Sequence, residues 1–108
     1  MWCGIMFNSG DVVLAKIQFI DTFEVKTRPV VILFEEFDNV VVAGITSNVN
    51  MKGIEITKKD GMIKDSVIKM NYIFTISKNM ISKKLLHLPQ KKKQMIYKEF
   101  MDRLSALR

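Results

Sequence analysis

The chain has 108 residues, of which 48% are hydrophobic, and this is enough for one domain with a modest core. Its formal net charge of +6 and its pI near 9.6 fit a nucleic-acid-binding surface, although surface lysine also serves general solubility. No segment approaches the ~18 consecutive apolar residues of a membrane span, and the apolar residues 1–7 lack the basic region and length of a secretory signal. With one cysteine and one histidine, the sequence predicts a cytoplasmic protein without an internal disulfide, a bound metal or a cofactor.

The first half of the chain has the pattern of three β-strands. Gly10 and Asp11 signal a turn, and the apolar residues 12–17 after them predict a first strand. A loop is expected over residues 18–26. Residues 30–34 and 40–45 are apolar runs on either side of a polar segment at 35–39, and this arrangement predicts a β-hairpin.

The second half changes from strand to helix. Residues 54–56 alternate as a short strand, residues 66–70 predict another strand, and residues 72–76 predict one further short strand or turn. Residues 77–84 are expected to hold a short helix or a turn. From Pro89 onward the apolar spacing predicts a helix over about residues 89–107. Its apolar stripe consists of Ile96, Phe100, Leu104 and Leu107, widened by Tyr97 and Met101.

These elements predict a single domain over residues 1–108 that is mainly β with a C-terminal helix. The strands are expected to form a small, strongly bent antiparallel barrel over about residues 9–77. Both faces of the strand at residues 30–34 are apolar, so one face should fill the barrel while the terminal helix or a second subunit covers the other. Because an uncovered apolar strip favours aggregation, we expect a homodimer.

The predicted hairpin brings polar side chains to one end of an otherwise apolar ribbon. If its loop is symmetric about Phe37, Arg28 lies directly opposite Thr46, with Cβ atoms roughly 4.5–5.5 Å apart. Ser47 follows Thr46, so a guanidinium and two hydroxyls would meet where they could hold a phosphate. The prediction depends on register, because a slip of one residue places Arg28 and Thr46 on opposite faces.

Several short segments occur in a fixed order along the chain: GDVV at residues 10–13, KTRPVV at 26–31, AGITS at 43–47, DSVI at 65–68 and IFTISK at 73–78. In this order they resemble the PemK/MazF-like toxins of bacterial and archaeal toxin–antitoxin systems, over roughly residues 10–104. The resemblance implies an SH3-like barrel, a homodimer, and a metal-independent ribonuclease that cuts single-stranded RNA at short sequences. It also implies a cognate antitoxin that blocks the RNA groove.

The resemblance places catalytic roles on Arg28, in the Arg-Pro motif, and on Thr46, in the Ile-Thr-Ser motif. In the family the 2′-hydroxyl of the RNA attacks the phosphate, which yields a cyclic phosphate and a free 5′-hydroxyl. Further RNA contacts are expected from Asp21 and Lys26 in the loop that precedes Arg28, and from the hydroxyl of Ser47 beside Thr46. Lys69 and Asn71 are also expected to contact RNA, because they occupy the positions where some members have an arginine and an aspartate.

The chemistry of such a site suits Arg28 better as an electrostatic group than as an acid or base. Its guanidinium can bind a phosphate through two hydrogen bonds, and this contact strengthens as negative charge develops in the transition state. A guanidinium does not give up its proton under ordinary conditions, so a proton-transfer role is unfavourable. The candidates for a general base are Asp21 and Glu24 in the preceding loop.

Other interpretations stay open at this point. Asn71, Phe74 and Ser77 depart from the family pattern, and this favours as an alternative a catalytically degenerate SH3-like barrel that binds nucleic acid or a protein partner without cleaving. A third interpretation is a structural module that uses its apolar face for assembly. Arg28 could also serve only in an ion pair with an acid of the preceding loop, and Thr46 could only bond a loop backbone group. Tyr72 and Phe74 are expected to pack in the core rather than stack on bases.

Overall fold

A computed structural model describes residues 7–18 and 24–108 of the chain. The expected RNA contact at Asp21, which is also a candidate general base, lies outside these residues. The described strands are β1 (Asp11–Gln18), β2 (Val25–Glu36), β3 (Asn39–Thr46), β4 (Ile54–Ile56), β5 (Ser66–Ser77) and β6 (Ile81–His87). They are followed by the helix α1 (Gln90–Leu104), and short 3-10 segments lie at Lys58–Asp60, Lys78–Met80 and Ser105–Leu107.

The strands form one antiparallel sheet in the order β4-β5-β3-β2-β1-β6. The sheet curves into a half-barrel with β4 and β6 at its two edges. The predicted fold class, mainly β with a C-terminal helix, is therefore confirmed.

Strand alternation divides the core between the two faces of this sheet. Successive side chains of a strand point to opposite faces, so Val30 belongs to one buried cluster and its neighbour Val31 to the other. Helix α1 covers the cluster that contains Val31, where Ile96 is buried and Phe100 is half-buried. The terminal helix thus covers one of the two apolar faces that the sequence predicted.

The β2–β3 hairpin keeps the predicted register at the end that matters for the site. Val30 pairs with Gly44 and Ile32 with Val42, as symmetry about Phe37 requires. The turn itself is shorter than expected, because the strands continue to Glu36 and Asn39. A bulge that leaves one extra residue in β2 between Ile32 and Phe34 compensates for the shorter turn.

β6 and the extent of β5 differ from the predicted elements. Residues 81–87 form an edge strand where a short helix or turn was expected to extend to residue 84. The period-two pattern is hidden there because the β1–β6 pairing shifts register twice, and lysines occupy the edge. Residues 66–77 form one strand, interrupted by a bulge, instead of two separate segments.

The C-terminal half of α1 is less covered than its first turns. Tyr97, Met101 and Leu104 are each more than half exposed, and Leu107 beyond the helix is 82% exposed. No helix in the described part of the chain combines the length and the apolar character that crossing a bilayer requires.

Candidate active site

A cleft of about 510 Å³ lies at the end of the β2–β3 hairpin that carries Arg28 and Thr46. The last pair of the β2–β3 ladder is Val30–Gly44. Two residues beyond it, Arg28 remains paired with β1 while Thr46 remains paired with β5. Because every second residue shares a face, both side chains lie on the face of Val30 and Gly44, and both line the cleft.

The cleft is positively charged. Among its described lining residues the charged side chains are Arg28 and Lys64, and none is a carboxylate. Hydroxyl groups come from Thr46, Ser47, Ser66 and Tyr72, while most of the remaining wall is apolar. Such a lining favours an anionic ligand that also has flat or apolar parts.

Arg28 is exposed and available to a ligand. Its side chain forms no hydrogen bond or ion pair with any residue that the structure describes. Glu24, one of the acids considered as its partner, instead has a carboxylate oxygen 3.1 Å from Nζ of Lys26. The guanidinium therefore retains its donors for a bound group.

Thr46 has a structural contact that leaves its hydroxyl proton free. Its Oγ1 accepts a hydrogen bond of 3.2 Å from the backbone N–H of Asn48, which is the loop-capping contact considered from the sequence. A hydroxyl that accepts one bond can still donate one. The backbone contact thus orients Thr46 and does not compete with a donor role.

The loop before β5 is also fixed by a side chain. Ser66 is buried, and its Oγ donates to the carbonyl of Lys64 at 3.0 Å. Asp65 holds the same loop to the preceding 3-10 segment, because its carboxylate accepts a hydrogen bond of 3.0 Å from the backbone N–H of Lys58. These two hydrogen bonds fix the backbone of the loop that contains Lys64 at the edge of the cleft.

The structure does not bring all of the expected RNA contacts into the cleft. Arg28, Thr46 and Ser47 line it, whereas Lys26 and Asn71 are exposed at positions outside its described lining. Lys69 differs most from the expectation.

Lys69 was expected to contact RNA, but the residue is buried and only 8% exposed. Its Nζ donates to the carbonyl of Lys52 at 2.9 Å. The same Nζ lies 5.4 Å from the centre of the Tyr72 ring. Lys69 is thus occupied within the protein, and a phosphate contact would require it to give up these partners.

Gly44 and Tyr72 are cleft residues that the sequence analysis did not find. The β3–β5 ladder passes from Gly44–Lys69 to Ala43–Ile73, so three residues of β5 bulge out between these pairs. Tyr72 is one of them and is 41% exposed, which contradicts the expected core position. Phe74 fits that expectation better, because it packs against a buried cluster. A hairpin pattern gives no signal for such a bulge, although Gly44 within an apolar run marks a close approach of another backbone.

Residues able to hold a metal are not grouped in the described structure. Across residues 7–18 and 24–108, no three or more His, Cys, Asp or Glu side chains are placed to hold a metal ion. His87, the single histidine, lies near the start of β1, where its Nδ1 is 2.7 Å from Oδ1 of the buried Asp11. His87 is exposed and does not belong to the described lining of the cleft.

Comparisons with known proteins agree on one family. A family model described as PemK-like, MazF-like toxin of type II toxin–antitoxin system matches residues 8–103. The Endoribonuclease MazF of Staphylococcus saprophyticus is 39% identical over 98 residues, covering 81% of this chain and 82% of that protein.

Solved structures show the same fold at lower identity. The toxin MazF-mt6 of Mycobacterium tuberculosis has a TM-score of 0.71 at 20% identity, over 88% of this chain and 96% of that chain. A MazE–MazF structure from Deinococcus radiodurans has a TM-score of 0.74 at 12% identity, over 94% of this chain and 98% of that chain. Since the family model spans nearly the whole sequence, the chain belongs to the PemK-like, MazF-like toxins of type II toxin–antitoxin systems.

Proposed function

We propose that this chain is an endoribonuclease that cuts single-stranded RNA at short sequences without a metal. The observation that carries the proposal is the cleft in which Arg28, Thr46 and Ser47 converge with Lys64 and without a described carboxylate. The similarity to the Staphylococcus saprophyticus protein, which is named an endoribonuclease, supports the same activity.

The reaction is attack by the 2′-hydroxyl of the RNA on the adjacent phosphorus. The 2′-oxygen forms a bond to phosphorus as the bond to the 5′-oxygen breaks, which leaves a cyclic phosphate and a free 5′-hydroxyl. One proton leaves the 2′-hydroxyl and one is delivered to the departing 5′-oxygen. Charge accumulates on the non-bridging oxygens in between, and fixed donors are most effective there.

Arg28 and Thr46 are the proposed catalytic residues. Arg28 binds the phosphate through its guanidinium and neutralises the developing charge. The guanidinium has no partner among the described residues, which supports this role. Thr46 donates its free hydroxyl proton to a non-bridging oxygen while Asn48 holds the hydroxyl from the backbone side. Among the described residues of the cleft none is an acid, and the proposed general base stays Asp21 or Glu24 of the loop before β2.

The remaining RNA contacts lie around this centre. Ser47 lines the cleft beside Thr46 and is proposed to donate to the same phosphate. Lys26 and Asn71 are proposed to touch the strand on either side, since both are exposed. For Lys69 we propose an indirect role, because its ammonium already binds a backbone carbonyl.

The proposed partners are the RNA substrate, a cognate antitoxin protein and a second copy of the chain. A similar mycobacterial structure, with 14% identity and a TM-score of 0.69, is that of an endoribonuclease in complex with its cognate antitoxin. The exposed apolar side chains of α1 support a homodimer. We further propose that the chain is a single domain that acts in the cytoplasm, where single-stranded RNA is available.

Arg28→Ala and Thr46→Ala test the site assignment directly. Purified protein is incubated with a long, unstructured RNA in the presence of EDTA, and the fragment ends are analysed. Thr46→Ala should lower the cleavage rate about 10²- to 10³-fold, as expected for the loss of one transition-state donor, and Arg28→Ala by at least as much.

Matched controls are available outside the cleft. Arg103→Ala removes an exposed arginine of α1, and Thr75→Ala removes an exposed threonine of β5. Both should cleave at the wild-type rate, and all four variants should keep the far-UV circular dichroism of the sheet. Wild-type cleavage by both Arg28→Ala and Thr46→Ala would show that the site is wrongly assigned.

The same incubation separates the other interpretations. Fragments with cyclic phosphate ends support the endoribonuclease. RNA that is retarded but intact would indicate the catalytically degenerate barrel, and the absence of any salt-dependent RNA affinity would indicate an assembly module.

A further inference from the structure

Tyr72 presents an aromatic ring at the rim of the proposed RNA cleft. It is 41% exposed and lines the same cleft as Arg28 and Thr46. Its place follows from the bulge of β5, which carries Tyr72 back over Gly44 of β3. A Cβ on Gly44 would lie 3.2 Å from Cβ of Tyr72, so the absence of a side chain at Gly44 is what lets the tyrosine sit this deep.

The ammonium group of Lys69 lies over the ring of Tyr72. Lys69 is 8% exposed, and its Nζ lies 5.4 Å from the ring centre, within the usual range of a cation–π contact. Burial of an ammonium is unfavourable unless it is paired. The carbonyl of Lys52 at 2.9 Å and the Tyr72 ring supply that pairing. Lys69 therefore ties the ring to the loop before β4.

A ring held in this way matches one part of a single-stranded nucleic acid. The phosphate is an anion for Arg28 and Lys64, but the bases are flat and require a flat apolar surface. Aromatic side chains beside a cationic groove bind single strands by stacking on their bases. The cleft supplies both components side by side.

We propose that Tyr72 is the stacking platform for a base next to the scissile phosphate, and that Lys69 positions its ring. The proposal rests on the proposed function and adds a substrate contact to that site. Because every base has a stacking face, Tyr72 contributes affinity more than choice of sequence. Tyr72 acts on the substrate directly, whereas Lys69 acts through Tyr72.

Binding to a strand that cannot be cleaved tests the platform apart from catalysis. The probe is a short, unstructured, fluorescein-labelled DNA oligonucleotide of mixed sequence, which lacks the attacking 2′-hydroxyl. Fluorescence anisotropy should show about 5- to 150-fold weaker binding for Tyr72→Ala, the range typical of one lost stacking contact. Tyr72→Phe keeps the ring and should bind like the wild type.

Phe37→Ala is the matched control for loss of an exposed aromatic ring. Phe37 is 91% exposed in the turn at the opposite end of the β2–β3 hairpin from the cleft. Its removal should leave the affinity unchanged. A loss in Phe37→Ala equal to that of Tyr72→Ala would overturn the proposal, because affinity would then not depend on the cleft.

Oligonucleotides with a single abasic site identify the stacked base. One abasic position should reproduce the loss seen with Tyr72→Ala in the wild-type protein. The same position should have no further effect on the Tyr72→Ala protein, because the contact is already absent.

The role of Lys69 is tested by a double-mutant cycle with Lys69→Met. This variant should weaken probe binding in the wild-type background and should not weaken it further in Tyr72→Ala. Thermal unfolding is measured for each protein, because a merely structural lysine would lower stability and affinity equally in both backgrounds. Equal effects in both backgrounds would overturn the positioning role.

The platform and the nuclease can fail separately. A wild-type protein that cleaves RNA while Tyr72→Ala binds the probe equally well overturns the platform alone. Equal losses in Tyr72→Phe and Tyr72→Ala also overturn it, because the hydroxyl rather than the ring would be the contact. A wild-type protein that binds the probe but never cleaves RNA contradicts the nuclease, and the loss in Tyr72→Ala would still support the platform.

Discussion

Gly44 shows how a single residue controls the shape of the cleft. The three nearest atoms to a Cβ at this position belong to Tyr72 and Phe74, at 3.2 to 3.6 Å. Contacts at the short end of this range are tighter than ordinary packing, so Tyr72 would have to move by a few tenths of an ångström. The absence of a side chain at Gly44 thus determines where the tyrosine ring lies. A small side chain added at this position should reduce the affinity for RNA more than it reduces the free energy of unfolding.

Gly44→Ala should weaken binding of single-stranded RNA while changing the free energy of unfolding by less than about 1 kcal/mol. The added methyl group displaces Tyr72, but the restricted unfolded chain of the alanine variant offsets part of the cost. Urea denaturation and RNA-binding titrations measure the two effects. Gly44→Val should lower both quantities, since overpacking typically costs about 1–3 kcal/mol. Unchanged RNA affinity in both variants would contradict the proposed effect of Gly44 on the position of Tyr72.

Asp11 links three elements at the other end of β1. Its carboxylate is fully buried and accepts hydrogen bonds from the backbone N–H of Asn8 at 2.8 Å and from Nδ1 of His87 at 2.7 Å. Nζ of Lys84 lies 3.3 Å away, and Nζ of Lys93 on α1 lies 3.0 Å from the other ring nitrogen of His87. The network joins β1, the edge strand β6 and the helix, so it stabilises the part of the fold that sequence periodicity did not reveal.

The pH dependence of this network follows from the pKa of Asp11. Burial alone raises the pKa of the carboxyl, but the hydrogen bonds from Asn8, His87 and Lys84 and the charge of Lys84 together lower it below its ordinary value of 3.8. Because the pKa is lower in the folded state, the carboxylate stabilises the fold above about pH 3.8, and this contribution is lost as the pH falls through the folded pKa.

Asp11→Asn should therefore lower the free energy of unfolding by about 1–3 kcal/mol near neutral pH, the cost of disrupting buried hydrogen bonds. The difference from the wild type should shrink below the unfolded pKa of 3.8. Urea denaturation across the acidic range measures it. Asp102→Asn, the same change at an exposed position of α1, should follow the wild-type curve. A constant difference at every pH would contradict the charge-based account.

The whole molecule leaves an apolar surface that a single chain does not bury. On α1, Tyr97 is 69% exposed, Met101 54% and Leu104 55%. Phe34 on β2 is 51% exposed and lines the same groove as Tyr97 and Leu104. Contiguous exposed apolar residues of this kind are typical of interfaces. Tyr97, Met101 and Leu104 belong to the helical stripe whose other members, Ile96 and Phe100, pack on the sheet.

Light scattering should give a mass of about 25 kDa in solution, which is two chains of 12.5 kDa. Leu104→Lys places a charge in the apolar surface and should shift the mass to that of one chain, because burial of an unpaired charge is costly. Val49→Lys, at a 57% exposed position in the loop after β3, is the control and should stay dimeric. A dimeric Leu104→Lys protein would place the interface elsewhere, and a monomeric wild type would contradict the homodimer.

The sequence by itself determined the strands of the first half, the terminal helix and the register that puts Arg28 and Thr46 on one face. These features depend on local periodicity and on turn position, which are written directly in the residue order. The register of the hairpin was predicted correctly because two differences cancel: the turn is shorter than predicted, and the bulge in β2 adds one residue.

Only the tertiary structure decided which side chains surround that pair. The bulge of β5 exposes Tyr72 and buries Lys69 beneath it, and the bulges between β1 and β6 turn an apparent loop into an edge strand. A bulge breaks the period-two alternation from which burial is inferred, and its position depends on the partner strand. The face that a residue presents beyond a bulge therefore depends on contacts between distant parts of the chain, and no pattern within one segment contains it.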